Sequence, residues 1–264
     1  MDPDPSVPDP AFSRTRPGRV LLLTASVGAG HNQAARALEE TFNRSAPDVY
    51  VKCWDVLDYT SRYFRLKYAR GYALAVSRFP TFYGWGFSFT DHPRGPSRTL
   101  LEKRRLWAER RALRKLEKAV QDFNPDVIVH THFLAPPILH CFGRKRGKAY
   151  RQMIVTTDVI PHRWWYCEGA DRYFTSHEEG RVRLIELGAP AERIVISGMP
   201  IHPKWTASLP PREKICRTWL LPSDRPIVLL SGGTDFTCGP IVKIARGLAE
   251  QCPQACIVVL GGRN

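Results

Sequence analysis

The chain has 264 residues, 43% of them hydrophobic and 24% charged. That ordinary globular composition excludes wholesale disorder, a collagen repeat and a coiled coil. Lys and Arg outnumber Asp and Glu by 39 to 25, a net charge of +14, and so basic a balance implies an anionic partner or surface. No run approaches the ~18 consecutive apolar residues of a membrane-spanning helix. The opening Met1-Asp2-Pro3-Asp4 lacks the basic and apolar regions of a secretory signal. The 7 cysteines are scattered, and no Cys-x-x-Cys pair occurs. Neither a zinc site nor a disulfide framework is expected, and the cytosol fits best.

In chain order, residues 1–18 are rich in proline and read as a disordered tail. Arg19 to Ser26 reads as a buried strand around Val20-Leu21-Leu22-Leu23. A glycine turn, Gly28-Ala29-Gly30, leads into a helix from His31 to Thr41, and Val49 to Trp54 is a second strand. A helical pattern covers Asp58 to Ser77. Phe79 to Phe89 reads as an aromatic loop, and Ser97 to Phe123 as one long helix. On that helix Leu106, Leu113, Leu116, Val120 and Phe123 share a stripe, with Arg104, Arg111, Arg114, Lys115 and Lys118 on the other side. Further strands are expected at Asp126–Val129, Met153–Thr156, Arg172–Thr175 and Ile194–Ile196, with a helix from His177 to Leu187. After a linker beginning Ser197-Gly198-Met199-Pro200, a second unit shows a strand at Ile227–Leu230, a helix at Ile241–Glu250 and a strand at Cys256–Leu260. Alternating strands and helices predict an α/β protein with a parallel sheet.

Several motifs carry chemistry. In Gly28-Ala29-Gly30-His31 the glycines admit a ligand to the backbone and the helix N-terminus favours negative charge. His31 there is placed to take a proton from an attacking hydroxyl. The same residues suit a tight turn with a capping histidine, and the dinucleotide pattern G-x-G-x-x-G is absent. Thr157-Asp158 and His162 follow a strand end, where α/β sheets bind ligands, although Asp158 also suits a cap. Ser231-Gly232-Gly233 makes a second glycine turn suited to a diphosphate, without the Gly-Lys-Ser/Thr ending of a P-loop. His130-Thr131-His132 follows a strand with no acidic ligand beside it, so a metal pair is not expected, and the lining of a cleft by one of these histidines stays open.

Residues 61–120 hold fifteen Lys/Arg against four acids, and six of the eleven residues from 79 to 89 are aromatic. Rings beside cations suit a membrane interface over anionic lipid, with Phe82, Trp85, Phe87, Arg104, Arg111 and Lys115 as candidates. A solvated helix face over a core of aromatics explains the same pattern. No nucleic-acid-binding motif accompanies the charge, so nucleic acid is not an expected partner.

The ordered set of motifs resembles the monogalactosyldiacylglycerol synthase and diacylglycerol glucosyltransferase family. It comprises Gly-Ala-Gly-His at 28–31, Val155-Thr156-Thr157-Asp158 with His162 and Trp164-Trp165, and Phe174-Thr175-Ser176-His177-Glu178. Ile196-Ser197-Gly198-Met199-Pro200-Ile201, Ser231-Gly232-Gly233 and Gly262-Arg263-Asn264 complete it. The resemblance spans residues 19–264 and implies a GT-B fold of two Rossmann-like domains facing a cleft. Residues 19–198 would form the acceptor and membrane-binding domain, 199–225 the linker, and 226–264 the start of the UDP-sugar domain. That second unit is expected to be C-terminally truncated.

By the resemblance, a hexose passes with inversion from UDP-galactose or UDP-glucose to diacylglycerol, with no metal and no cofactor. His31 would be the general base, with Gly28, Gly30, Asp158 and His162 on the acceptor side and Ser231, Gly232 and Gly233 on the donor diphosphate. The expected location is peripheral, on the cytoplasmic face of a membrane. A catalytically inactive lipid-binding fragment is the alternative.

Overall fold

The computed structural model describes residues 18–68, 71, 80–91, 96–145, 147, 150–232 and 240–261. The predicted tail up to residue 17, Gly233 and Gly262-Arg263-Asn264 lie outside the described residues.

The elements in order are β1 (Arg19–Thr24), α1 (Ala29–Ser45), β2 (Tyr50–Asp55), α2 (Pro80–Thr90), α3 (Pro96–Ala112), α4 (Arg114–Phe123), β3 (Val127–His130), α5 (Pro136–Lys145) and β4 (Arg151–Val155). They continue with β5 (Arg172–Thr175), α6 (Glu178–Glu186), β6 (Ile194–Ile196), α7 (Arg212–Thr218), β7 (Ile227–Ser231), α8 (Ile241–Gln251) and β8 (Cys256–Leu260). Short 3-10 turns at Val56–Tyr59 and Arg163–Trp165 and a helical segment at 62–68 complete the parts used below.

Six parallel strands form one sheet in the order β2-β1-β3-β4-β5-β6, while β7 and β8 pair in a separate two-stranded sheet. The six-stranded sheet is the predicted α/β architecture. Leu22 stands between Cys53 of β2 and Val129 of β3, so β1 is central and its apolar run is explained. Strand alternation divides that run between two layers. Leu21 and Leu23 pack with Leu113, Leu116 and Val120 and with Ile138 and Leu139 of α5. Val20 and Leu22 face the opposite layer, where Leu38 and Phe42 of α1 cover them. Each such fully buried side chain stabilises the fold by about 1.5–3 kcal/mol relative to exposure.

Three expectations are corrected. The predicted aromatic loop at 79–89 is the helix α2, because Pro80 falls at its first residue, where a missing N–H costs nothing. Its Gly84 and Gly86 are carried within that helix. The single helix at 97–123 is two helices that reset at Leu113, whose ψ of 15° leaves the helical range. Leu113 N–H still donates to Glu109 O at 2.9 Å, and Arg110 Nε bridges the break to Glu117 Oε1 at 3.1 Å. After the reset Leu113, Leu116 and Val120 pack onto the sheet. Finally, α5 and α7 were not expected. α5 begins on the pair Pro136-Pro137 and α7 follows Pro210-Pro211, so each pair is a helix start rather than a break.

The chain leaves β1 toward β2 on one side and returns to β3 on the other. This reversal opens a crevice at the C-terminal ends of β1 and β3, the place where such sheets bind ligands.

Candidate active site

The turn after β1 is fixed before any ligand arrives. Gly28 caps α1 with φ 83° and ψ 151°, a conformation open essentially to glycine alone. Asp55 Oδ1 accepts Ser26 N–H at 3.2 Å and Leu57 N–H at 2.9 Å, tying the turn to the end of β2. Thr24 Oγ1 bonds Asn32 Oδ1 at 2.9 Å. A Cβ on Gly30 would meet nothing within 4 Å, so that glycine faces open space.

His31 enters the crevice from the first turn of α1. Its Nδ1 stands 2.9 Å from the Thr131 carbonyl oxygen and 2.6 Å from Thr157 Oγ1. A carbonyl only accepts, so the ring proton resides on Nδ1 and is donated to Thr131 O, with the Thr157 oxygen sharing it. Nε2 is left with the lone pair. Thr131 Oγ1 returns a bond to His31 O at 3.0 Å, and Thr131 N–H donates to Leu23 O at 3.0 Å. The imidazole is thus held by the ends of β3 and β4 together. Burial lowers the His31 pKa from its ordinary 6.5, opposed by the nearby Asp158 carboxylate and by the bond to Thr131. The ring is therefore unprotonated at neutral pH.

Asp158 is held in turn. Its Oδ2 accepts the indole N–H of the fully buried Trp165 at 2.6 Å. The Trp165 ring centre lies 6.0 Å from that of His31. His132 crosses His31 edge-on at 4.6 Å between ring centres and stacks on Phe133 at 4.2 Å.

These groups face one cavity of about 860 Å³. His31, His132 and Asp158 form its polar end. Val27, Phe133, Ile160 and Trp164 continue the wall, and Tyr63, Phe64, Lys67 and Tyr68 close it from the helical segment 62–68. Ala108 of α3 reaches the same space. Arg105 of α3 lies over the Trp164 ring at 4.9 Å and bonds Glu109 Oε1 at 3.1 Å. A largely apolar chamber with two imidazoles and a carboxylate in its wall suits a lipid bearing one polar head. Among the described residues, no group of three or more histidines, cysteines or acids is placed to hold a metal ion.

The sequence-derived candidates fall into four groups. His31 and Asp158 line the cavity, and Gly28 shapes the turn that presents His31. His162 faces away. Its Nδ1 caps Trp164 N–H at 3.2 Å, and its Nε2 lies 3.3 Å from Thr90 Oγ1 and 3.7 Å from Asp91 Oδ1. Asp91 also accepts Arg163 N–H at 2.8 Å and pairs with Arg183 at 3.0 Å, so His162 belongs to a strut joining α2 to α6. Ser231 ends β7 in the second sheet, Gly232 follows it, and neither lines this cavity.

Of the surface candidates, Trp85 is 62% exposed and stacks on Phe89, and Arg104, Arg111 and Lys115 are exposed. The side chains of Phe82 and Phe87 lie outside the described residues. Sequence reasoning missed Tyr63 and Lys67, which line the cavity, and the exposed Trp107 of α3. Only the cation-rich stretch that contains them hinted at these residues. Among the described residues, no helix is long and apolar enough to cross a membrane.

Two solved structures show the fold class to be GT-B. The chain superposes on Anabaena HepE in complex with UDP and glucose with a TM-score of 0.51 and 11% identity, covering 92% of this chain and 61% of that one. It superposes on S. aureus MnaA with UDP at 0.51 and 12% identity, covering 94% and 63%. Residues 31–201 match the family model of monogalactosyldiacylglycerol (MGDG) synthase, and the chain belongs to that family. A processive diacylglycerol beta-glucosyltransferase of Bacillus cereus (strain B4264) is 26% identical over 251 residues, 93% of this chain and 61% of the relative. The enzyme of the same name from Bacillus thuringiensis (strain Al Hakam) is 25% identical over 253 residues. The chain thus spans about 61% of the length of the curated relatives it matches.

Proposed function

We propose that this chain supplies the acceptor side of a glycosyltransferase that moves a hexose from a UDP-sugar, UDP-glucose or UDP-galactose, to diacylglycerol. The carrying observation is the His31 tautomer: Nδ1–H is spent on Thr131 O, so the basic Nε2 remains for a hydroxyl in the apolar cavity. The acyl chains occupy the wall of Phe64, Tyr68, Phe133 and Trp164, and the glycerol hydroxyl reaches His31.

As that oxygen attacks the anomeric carbon, Nε2 takes its proton. UDP leaves with the electron pair of the broken C–O bond, and single displacement inverts the centre. Asp158 stabilises the imidazolium that forms. Gly28 and Gly30 leave the start of α1 open to the incoming sugar. Ser231-Gly232-Gly233 would meet the donor diphosphate through backbone N–H groups. No metal or other cofactor is required by this route. The exposed Trp85, Tyr63 and Trp107 and the exposed cations Arg104, Arg111 and Lys115 would seat the protein on anionic lipid. In this reading the protein acts peripherally, on the cytoplasmic face of a membrane.

The test is radiolabelled sugar transfer from UDP-glucose and UDP-galactose to diacylglycerol in phosphatidylglycerol liposomes. The expected result is a glycolipid product that disappears in His31→Ala while liposome binding persists. Diacylglycerol binding without transfer would instead support the inactive lipid-binding fragment. No diacylglycerol binding at all would overturn the reading.

A further inference from the structure

His132 is chemically unlike His31 although both rings face the same chamber. Its Nδ1 accepts the backbone N–H of Leu134 at 3.1 Å. A nitrogen that accepts carries no proton, so the proton of this ring is on Nε2. Nε2 has no hydrogen-bond partner among the described residues. Nor is it walled off: the sealed and unpaired side-chain atoms among the described residues are Arg105 Nε, His130 Nδ1, His140 Nε2 and Thr175 Oγ1, and His132 Nε2 is not one of them. An N–H donor therefore opens onto an apolar cavity with nothing to bond, an expensive arrangement unless a ligand supplies the acceptor.

We propose that His132 is a specificity-determining residue of the acceptor site, donating Nε2–H to the oxygen of a lipid alcohol while His31 Nε2 accepts that oxygen's proton. This inference rests on the proposed acceptor role of the cavity.

The ring centres are 4.6 Å apart and the rings cross at 74°, so one oxygen can touch both edges. Both imidazoles are complementary to a hydroxyl and to little else. An ether or ester end has no proton for His31, and a protonated amine has no lone pair for His132. Burial and the neighbouring His31 hold His132 well below the usual histidine range, so it stays a neutral donor. The donor also keeps the attacking oxygen's second lone pair occupied, leaving one directed at the sugar.

The experiment is a ligand-by-variant cycle on the full chain, read by isothermal titration below the micelle limit. The ligands are 1,2-dioctanoylglycerol and its 3-deoxy analogue, which lacks the hydroxyl. The variants are His132→Phe, which keeps the ring without a donor, and His132→Gln, whose amide N–H reaches the position of Nε2. Wild type is expected to prefer the alcohol by about tenfold or more. In His132→Phe that preference shrinks three- to tenfold, the value of one lost hydrogen bond, while deoxy-analogue affinity changes less than about twofold. His132→Gln restores the preference. Binding of the deoxy analogue also reports that the cavity is intact, and His132→Met replaces the Phe variant if that one does not fold. An unchanged preference in His132→Phe, or a Gln variant that behaves like Phe, overturns the assignment and leaves the acceptor cavity standing. Wild type that binds neither ligand overturns the acceptor reading and this inference with it.

Discussion

Acid should loosen this fold through its buried histidines, and His130 allows the size to be worked out. His130 ends β3, is fully buried, and donates Nε2–H to Gln152 Oε1 at 2.9 Å, while its Nδ1 is sealed with no partner. Burial pushes its pKa down to about 3, against an ordinary value near 6.5 in the unfolded chain. The folded pKa lies below the unfolded one, so the unfolded chain binds the proton first and stability falls as pH drops below about 6.5. Between pH 7 and pH 5 the loss from this one residue is about 1.9 kcal/mol. His31 and His132 act in the same direction. Urea unfolding followed by circular dichroism at pH 7 and pH 5 measures it, comparing wild type with His130→Asn. The variant is less stable at both pH values, but its drop between them is smaller by about 2 kcal/mol. Equal drops, within about 0.5 kcal/mol, would show that the folded state protonates His130 freely and would refute the burial argument.

Three further changes separate the parts of the site. Asp158→Asn keeps an acceptor for the Trp165 indole and removes only the charge. The His31 pKa then falls further, the acid limb of the pH–rate profile moves to lower pH, and kcat drops on the order of tenfold with diacylglycerol KM little changed. Gly28→Ala, forced to a φ near +83°, costs about 1–3 kcal/mol in thermal unfolding. Gly30→Ala is neutral to slightly stabilising, yet lowers transfer if the sugar passes the open face of α1. Trp107→Ser weakens liposome partition roughly tenfold, about half the value of burying a large apolar side chain. Arg104→Gln and Arg111→Gln each cost about fivefold on anionic vesicles, at ~1 kcal/mol per cation near the surface, and nothing on neutral ones.

The strands were legible because each is a compact apolar or β-branched run. Arg172–Thr175, Ile194–Ile196 and Cys256–Leu260 stand where their sequence places them. The misread helices share one cause. Pro80, Pro136-Pro137 and Pro210-Pro211 punctuate a sequence whether they end one element or begin the next, and only packing decides which. Leu113 is a different case, for the stripe it belongs to was visible and the reset beneath it was not. In the site, His31 and Asp158 announced themselves by following strand ends. His162 follows a strand end too, but its ring turns toward Asp91 because Trp164 N–H claims Nδ1. What separates the proposed base, His31, from the proposed donor, His132, is which ring nitrogen meets which backbone group. That choice is set by Thr131 O and Leu134 N–H, tertiary and turn partners that no residue type encodes.

The lowered pKa of His31 fits the surface on which the proposed reaction runs. An anionic leaflet carries a potential of about −30 mV and so concentrates protons, making the interfacial pH about 0.5 lower than that of the bulk. A solvent-exposed histidine with an ordinary pKa near 6.5 would lose part of its basic form there. Burial in the apolar cavity moves His31 the other way and keeps Nε2 available, while Asp158 and Thr131 oppose burial enough for the imidazolium to form in the transition state. The balance predicts an asymmetry. In wild type, changing vesicles from neutral to anionic lipid shifts the acid limb of transfer upward by about 0.5 in bulk pH and leaves the rate at pH 7.5 unchanged once binding is saturated. An acid limb that ignores vesicle charge would place His31 beyond the reach of the interfacial potential and refute the seating of the protein on the membrane.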